Sequence, residues 1–168
     1  IKAAAADEYI AGLMIMNDIS ARRLQMEEML LNLGPAKGKD FATCIGPMLV
    51  TLDELEPFVV PCKENHTGKA WNLGMKCSVN GIPLSQGNLS DMDWTFAEII
   101  ERSSYGVNLY PGDVIGSGTV GTGCFLELNG TGLSNNPDFV PQWLQEGDVV
   151  EMEIDELGEL SNTVVMDE

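Results

Sequence analysis

Residues 17–47 read NDISARRLQMEEMLLNLGPAKGKDFATCIGP and hold the features from which the fold can be worked out. They follow directly on a near-continuous apolar run, YIAGLMIMN over residues 9–17, which predicts a buried strand. Residues 21–31 carry apolar side chains at helical spacing, with no helix breaker before the Gly-Pro pair at 34–35, and predict a helix. A strand, a helix and a lysine-containing loop therefore succeed one another.

Strand and turn signals dominate the remainder of the chain. Asn80-Gly81 separates two strand-like runs over residues 72–86, which is a strong hairpin signal. The turn at residues 146–148 leads into the alternating segment VVEMEI, and the turn at residues 156–158 returns the chain into LSNTVV. The absence of repeats and low-complexity linkers predicts one mostly β domain of the α+β class over residues 1–168.

Two further helices are predicted. TLDE at residues 51–54 fits a capping box that opens a short helix. SDMD at residues 90–93 is predicted to cap a second helix that runs to about Ser103, with Trp94 and Ala97 on its inward face.

GSGTVG at residues 116–121 matches the spelling G-x-G-x-x-G of a dinucleotide-binding loop. That loop works because it opens a helix whose N-terminus faces the pyrophosphate. The next residues, TGCFLELNG over 122–130, predict a strand that enters a turn at Asn129-Gly130. Residues 140–143, about twenty positions further on, hold no acid for a ribose. The context argues against dinucleotide binding.

Charge narrows the range of partners. The net charge is −17, and no Lys or Arg occurs from Ser103 onward, where twelve acids do. Such a surface repels phosphate backbones and anionic lipids, so neither nucleic acid nor a membrane is expected as a partner. Four of the nine basic residues lie within residues 22–39. They form either an anion site or a solvated helix face beside a lysine loop.

Few side chains outside this region suggest chemistry. The four cysteines show no C-x-x-C pair, which predicts reduced thiols in a cytoplasmic protein. His66 lies in a polar loop and is interpreted as a solvated residue rather than a catalytic base. Asp18 at the end of the first strand either caps the following helix, as Ser20 could, or binds a metal ion.

The motifs in combination resemble the fumarylacetoacetate hydrolase family, C-terminal catalytic domain. The resemblance covers nearly the whole chain, and its segments are NDISARRLQ (17–25), GPAKGKDFATCIGP (34–47), LVTLDEL (49–55), the Asn-Gly hairpin, PGDVIGSGTVGTG (111–123) and the closing EGDVVEMEIDELGELSNTV. It implies a roll or sandwich of mixed β-sheets with a few short helices, and a homodimer.

The resemblance also implies roles around a metal ion. Asp18, in the motif N-D-x-S-A-R, would be a ligand of Mg²⁺, with Ca²⁺ or Mn²⁺ as alternatives. Lys39 and Thr43 in GKDFAT would lie beside the metal, with Lys39 also catalytic. Glu127 in CFLEL would be a catalytic acid near the leaving group.

Three other residues would hold the substrate. Arg22 and Gln25, three positions apart on one helix face, would bind carboxylate or enolate oxygens. Thr119 would contact a substrate carboxylate, and the glycines around it would let the backbone approach a small keto acid closely.

The function implied is a metal-dependent hydrolase that cleaves a C–C bond in a 1,3-diketo acid such as an acylpyruvate or fumarylacetoacetate, in aromatic amino acid catabolism. A keto-acid lyase or isomerase (decarboxylase, dehydratase or dienoate isomerase) is the alternative within the superfamily. The third possibility is a structural or binding remnant with an incomplete site.

Some positions depart from the family pattern. Arg23 stands where the family commonly has aspartate, and Met29 where fumarylacetoacetate enzymes have a substrate-contacting tyrosine. The family's water-activating histidine and an E-x-E pair of metal-binding glutamates belong to upstream sequence. We therefore expect the remaining ligands upstream of Ile1, and weak magnesium binding by residues 1–168 alone.

Overall fold

The computed structural model describes residues 1–166, in which short helices surround a set of antiparallel strands. The acids Asp167 and Glu168 of the acidic tail lie outside the described residues. The α-helices are α1 (Ala3–Ala6), α2 (Arg22–Glu28), α3 (Phe96–Ser103) and α4 (Phe125–Asn135). The strands are β1 (Met16–Asp18), β2 (Thr43–Ile45), β3 (Val59–Val60), β4 (Ala70–Trp71), β5 (Gly74–Val79), β6 (Ile82–Asn88), β7 (Val149–Ile154) and β8 (Gly158–Thr163). Turns of 3₁₀ helix span Asp7–Tyr9, Met29–Leu31, Glu56–Phe58 and Leu89–Asp91.

Both predicted hairpins are confirmed, and together they form the main sheet. Its order is β6-β5-β7-β8, with every neighbouring pair antiparallel. Asn80 and Gly81 have φ of 53° and 73°, and two positive φ values are what a tight turn between twisted strands requires. The Asn80 side chain accepts a hydrogen bond from the backbone N–H of Val149 at 2.9 Å, so the first hairpin is tied to the second.

The apolar run over residues 9–17 is less regular than the single buried strand predicted for it. Only Met16–Asp18 form a strand, paired with β2, while Leu13 makes an isolated bridge to Val50. Leu13 and Ile15 are buried, whereas Tyr9 lies in a 3₁₀ helix and is exposed. Successive residues of an extended chain face opposite ways, so a ribbon with one covered face buries only alternate side chains.

The core lies between the main sheet and the segments that carry β1 and β4. Its fully buried side chains are Ile15, Leu55, Trp71 and Leu73, and Ile154 packs with them. A second, smaller cluster joins the alanines of α1 to Ala97 and Ile100 of α3. The first cluster holds the strand that ends at Asp18, and so fixes where that carboxylate emerges.

The third helix begins later than predicted. Thr95, not SDMD at residues 90–93, is its N-cap, and Thr95 and Glu98 bond each other's backbone N–H at 3.2 and 2.9 Å in a capping box. Trp94 therefore precedes the helix and is exposed rather than inward-facing. His66 is not a fully solvated loop residue, because its Nδ1 lies 3.0 Å from the Glu98 carboxylate and its ring meets Trp94 edge-on.

The helix predicted at residues 51–54 is also absent. The segment forms turns that lead into the 3₁₀ helix Glu56–Phe58. Pro57 has no backbone N–H to continue an α-helix from this point. The tighter path places Leu55 fully inside the core.

Across the part of the chain that the structure describes, no helix combines the length and apolar character needed to cross a bilayer. All four cysteines are free and half-buried, in accord with the predicted reduced thiols. Burial raises the pKa of the Cys77 thiol.

Truncating Leu55 should test the position of the core. Leu55→Ala should lower the free energy of unfolding by about 2–5 kcal/mol, because it leaves a cavity among fully buried side chains. Leu33→Ala, the same change at an exposed leucine, should shift it by no more than about 0.5 kcal/mol. Urea unfolding of both variants gives the two values, and equal losses would show that Leu55 does not lie in the core.

Candidate active site

Asp18 and Lys39 meet where strand β1 ends. The Lys39 ammonium donates to Asp18 Oδ2 at 2.9 Å and to Ser20 Oγ at 2.6 Å, and the Ser20 hydroxyl donates to the backbone carbonyl of Asp18 at 2.9 Å. Thr43 lies opposite Asp18 in the β1–β2 pairing. The structure thus brings together Asp18, Lys39 and Thr43, residues widely separated in sequence.

Arg22 and Gln25 share one face of α2, as their spacing predicted. Arg22 Nη1 donates to Gln25 Oε1 at 2.7 Å. The Gln25 amide nitrogen also lies 3.5 Å from the sulfur of Met29, the residue that stands in the family's tyrosine position. This pair is half-buried, and the polar face it forms belongs to the helix that directly follows Asp18.

Close packing joins that helix to the lysine loop, residues 34–40. The backbone N–H of Ala21 donates to the Gly38 carbonyl at 2.9 Å. A Cβ atom at Gly38 would come within 2.9 Å of the Gln25 nitrogen, so only glycine allows this approach. Lys39 is therefore held beside the helix that carries Arg22 and Gln25.

The glycine-rich segment, residues 116–123, is followed by a helix that was not predicted. Residues 125–135 form α4 instead of a strand that enters a turn. The buried Asn129 side chain explains the helix, because it donates to the Gln142 carbonyl at 2.7 Å and accepts from the Gln142 N–H at 2.9 Å. This tertiary pairing overrides the local turn preference of Asn129-Gly130.

A helix after the glycines removes the reason first given against a dinucleotide loop. The sheet topology speaks against a dinucleotide loop instead, since such a loop belongs to a parallel strand–helix–strand unit. Every strand pair that the structure describes is antiparallel.

Thr119 and Glu127 lie on or beside this segment. Thr119 is exposed, and its hydroxyl donates to the Val120 carbonyl at 3.3 Å. The Glu127 carboxylate accepts from the Thr122 N–H at 2.9 Å. Within residues 1–166, no hydrogen bond joins Thr119 or Glu127 to the Asp18 and Lys39 side chains.

The glycine-rich segment nevertheless starts close to Asp18. A Cβ atom at Gly116 would lie 3.0 Å from the sulfur of Met16, a residue of the strand that Asp18 ends. Further along, Val120 covers Gly87 of β6 so closely that a Cβ atom there would overlap it. The segment therefore runs from the Asp18 strand to the edge strand of the main sheet.

The oxygen atoms near Asp18 are of the type that a hard divalent cation prefers as ligands. Its carboxylate is half-exposed, with the hydroxyl-bearing Thr43 on the neighbouring strand. Magnesium is commonly bound through one or two carboxylates together with waters and substrate oxygens, so Asp18 suits one such ligand. No group of three or more His, Cys, Asp or Glu side chains that could hold a metal is found among the described residues.

Sequence reasoning missed two contributors. The first is Ser20. Neither Ser20 nor Asp18 caps α2, because its N-cap is Ala21, and both side chains bond to Lys39 instead. Glu28 was not singled out, although its carboxylate binds three backbone N–H groups of the lysine loop. The sequence did contain a signal for Glu28, because an acid in the last turn of a helix is disfavoured by the helix dipole and needs another explanation.

The family model described as fumarylacetoacetate (FAA) hydrolase C-terminal matches residues 1–165. The chain belongs to this family. Membership confirms the expected α+β roll with few short helices, and the strand pairs of the described residues are all antiparallel. Family members are enzymes, and their names include hydrolases, tautomerases and isomerases.

Similar proteins carry different activities in their names. The chain is 34% identical over 170 residues to fumarylacetoacetase of Oryza sativa, with 86% of this chain and 39% of that protein covered. It is 36% identical over 171 residues to a mitochondrial oxaloacetate tautomerase of Bos taurus, with 98% and 45% covered. Fumarylacetoacetate hydrolase from Exiguobacterium antarcticum has a TM-score of 0.72 at 28% identity, over 99% of this chain and 51% of that one. The chain thus spans less than half the length of these two curated relatives.

Proposed function

We propose that this chain carries the catalytic domain of a metal-dependent hydrolase that cleaves a C–C bond in a 1,3-diketo acid of the acylpyruvate or fumarylacetoacetate type. The observation that carries the proposal is the contact between Lys39 and Asp18 at a strand end, beside the Arg22–Gln25 pair. A carboxylate suited to a hard cation thus stands next to fixed cationic donors suited to an oxyanion.

Each residue has a distinct task in this proposal. Asp18 holds Mg²⁺, or Mn²⁺ or Ca²⁺, with Thr43 beside it, and a bound cation polarises the keto group and stabilises enolate charge. Arg22 and Gln25 bind the carboxylate end of the keto acid. Lys39 donates to the oxygen on which negative charge develops, and Ser20 fixes the direction of its ammonium.

The glycine-rich segment completes the site on its other side. Thr119 donates to a carboxylate of the substrate, and Glu127 lies near the leaving group. Support comes from the path of the segment, which starts against Met16 and leaves the Thr119 side chain exposed. With few side chains in the way, the backbone there can approach a small dicarbonyl acid.

A second candidate is isomerisation or tautomerisation of a keto acid, with lyase activity in the same class. Met29 favours it, because its sulfur contacts Gln25 in the position of the tyrosine expected for a fumarylacetoacetate enzyme. Moving a proton within an enolised keto acid needs no water-activating base. The likeness to an oxaloacetate tautomerase supports this candidate. The homodimer stays a prediction of the resemblance, and the cytoplasmic location stays a prediction of the cysteine pattern.

A substrate screen separates these functions. The natural protein that contains this sequence should be assayed with acylpyruvates, fumarylacetoacetate-type diketones and oxaloacetate, each with and without Mg²⁺. Cleavage of a diketo acid supports the hydrolase, and keto–enol conversion or decarboxylation without cleavage supports the second candidate. No turnover of any keto acid would leave only a binding or structural role.

Removing the proposed metal ligand should abolish metal-dependent activity. Asp18→Ala should lose turnover and magnesium affinity and still fold, because Asp18 is half-exposed and outside the core. Asp40→Ala, which removes an exposed acid whose one ion-pair partner among the described residues is Lys37, is the matched control and should behave as wild type. Calorimetric titration with Mg²⁺ measures the affinity, and an Asp18→Ala protein with unchanged affinity and turnover would refute the assignment.

Removing single donors should weaken transition-state binding. Lys39→Met and Thr119→Val should each reduce kcat/KM by the equivalent of about 2–4 kcal/mol, the loss expected for one preorganised donor. Lys76→Met and Thr131→Val are the controls, because both side chains are exposed and have no assigned role. Steady-state kinetics with the best substrate give these values. Wild-type kinetics in Lys39→Met or Thr119→Val would rule out the role of that residue, and a requirement for NAD would overturn the whole assignment.

A further inference from the structure

The carboxylate of Glu28, the last residue of α2, is surrounded by backbone donors of the lysine loop. Glu28 Oε1 accepts the Lys37 N–H at 2.7 Å, while Oε2 accepts the N–H groups of Ala36 and Gly38, both at 3.0 Å. Three successive N–H groups that converge on one anion form an anion-binding concavity. Here the anion is part of the same chain.

These bonds keep the Glu28 carboxylate charged. The hydrogen bond from Gly38 lowers the pKa of Glu28 most, and those from Ala36 and Lys37, with the Lys37 charge, outweigh the opposing effect of burial. Hydrogen bonds to an ionised acceptor are roughly twice as strong as neutral ones. The loop is therefore held more firmly than neutral turn contacts would hold it.

The position of Glu28 in its own helix does not explain why an acid stands there. The C-terminal end of a helix carries partial negative charge and disfavours acidic side chains. The Glu27 side chain is exposed and has no hydrogen bond among the described residues, whereas the neighbouring Glu28 carboxylate has three. The loop, not the helix, accounts for the placement of Glu28.

The bonds to Glu28 end one residue before Lys39. Gly38 is buried between the Glu28 carboxylate and the Ala21 N–H, which binds its carbonyl. The N–H of Lys39 itself bonds the Ala36 carbonyl at 3.0 Å. With Ala36 and Gly38 fixed, the Lys39 backbone has one position, from which the ammonium reaches Asp18 and Ser20.

We propose that Glu28 is the positioning residue of the catalytic lysine: it binds the backbone N–H groups of residues 36–38 and thereby holds the Lys39 ammonium at Asp18. This inference rests on the proposed function for its effect on turnover. Its structural part, the coupling of Glu28 to Lys39, can be measured without any substrate.

Glu28→Gln is the decisive variant, since it keeps the size of the side chain while replacing one acceptor oxygen by an NH₂ group that must face a backbone N–H. We expect kcat/KM to fall by about 10–100-fold, the usual effect of losing a partner that orients an active-site group. Glu27→Gln, the same change at the adjacent exposed acid, should keep wild-type kinetics. A Glu28→Gln enzyme with wild-type kinetics would overturn the proposal.

A double-mutant cycle with Lys39→Met distinguishes positioning from general destabilisation. If Glu28 acts through Lys39, adding Glu28→Gln to Lys39→Met should cost little or nothing further, because coupled residues are not additive. A loss that simply multiplies that of Lys39→Met would show an effect independent of the lysine and refute the positioning role.

Two measurements without substrate complete the test. In Glu28→Gln the amides of Ala36, Lys37 and Gly38 should exchange hydrogen faster, and Lys39 should be acylated faster by a water-soluble amine reagent, with Lys76, an exposed lysine on β5, as the internal reference. Unchanged exchange and labelling would overturn the inference. If the wild-type protein turns over no keto acid, the proposed function fails, while these two rates still decide whether Glu28 positions Lys39.

Discussion

The salt bridge between Lys39 and Asp18 is the contact on which the arrangement of the candidate site depends. It links the end of β1 to the lysine loop that precedes β2, so that α2 and this loop lie side by side. The Asp18 side chain is 50% exposed, so the pair adds at most about 1 kcal/mol to stability. Its importance is geometric, because it fixes the position of the Lys39 ammonium against the Asp18 carboxylate.

Because the chain as a whole is strongly acidic, the four basic residues within residues 22–39 form a distinct local positive region. Against a net charge of −17, Arg22 and Lys39 supply fixed positive charge close to Asp18. A local positive region on an otherwise acidic protein attracts anions to one place. The half-burial of Arg22 and Lys39 reduces screening by salt, which favours binding of a carboxylate there.

Family membership identifies the class of enzyme but not the individual reaction. The relatives include a fumarylacetoacetase and an oxaloacetate tautomerase at nearly equal identity, 34% and 36%. Both names describe chemistry on a small keto acid that can form an enolate, and one metal-and-lysine arrangement can serve either. Two residues depart from the family pattern: Arg23 lies on α2 next to Arg22, and Met29 lies in the 3₁₀ helix that follows α2, with its sulfur against Gln25.

The sequence by itself determined the two hairpins, helix α2 and the family, because turn chemistry at Asn80-Gly81 and helical spacing over residues 21–31 act locally. Tertiary contacts decided the rest. Asn129 is helical because Gln142 forms hydrogen bonds with its buried amide. Ser20 bonds to Lys39 instead of capping α2, as was expected of it. Glu28 acquired its role only when the loop folded back onto it. Such bonds join residues far apart in the chain, and local propensity carries no record of which distant backbone group a polar side chain will meet.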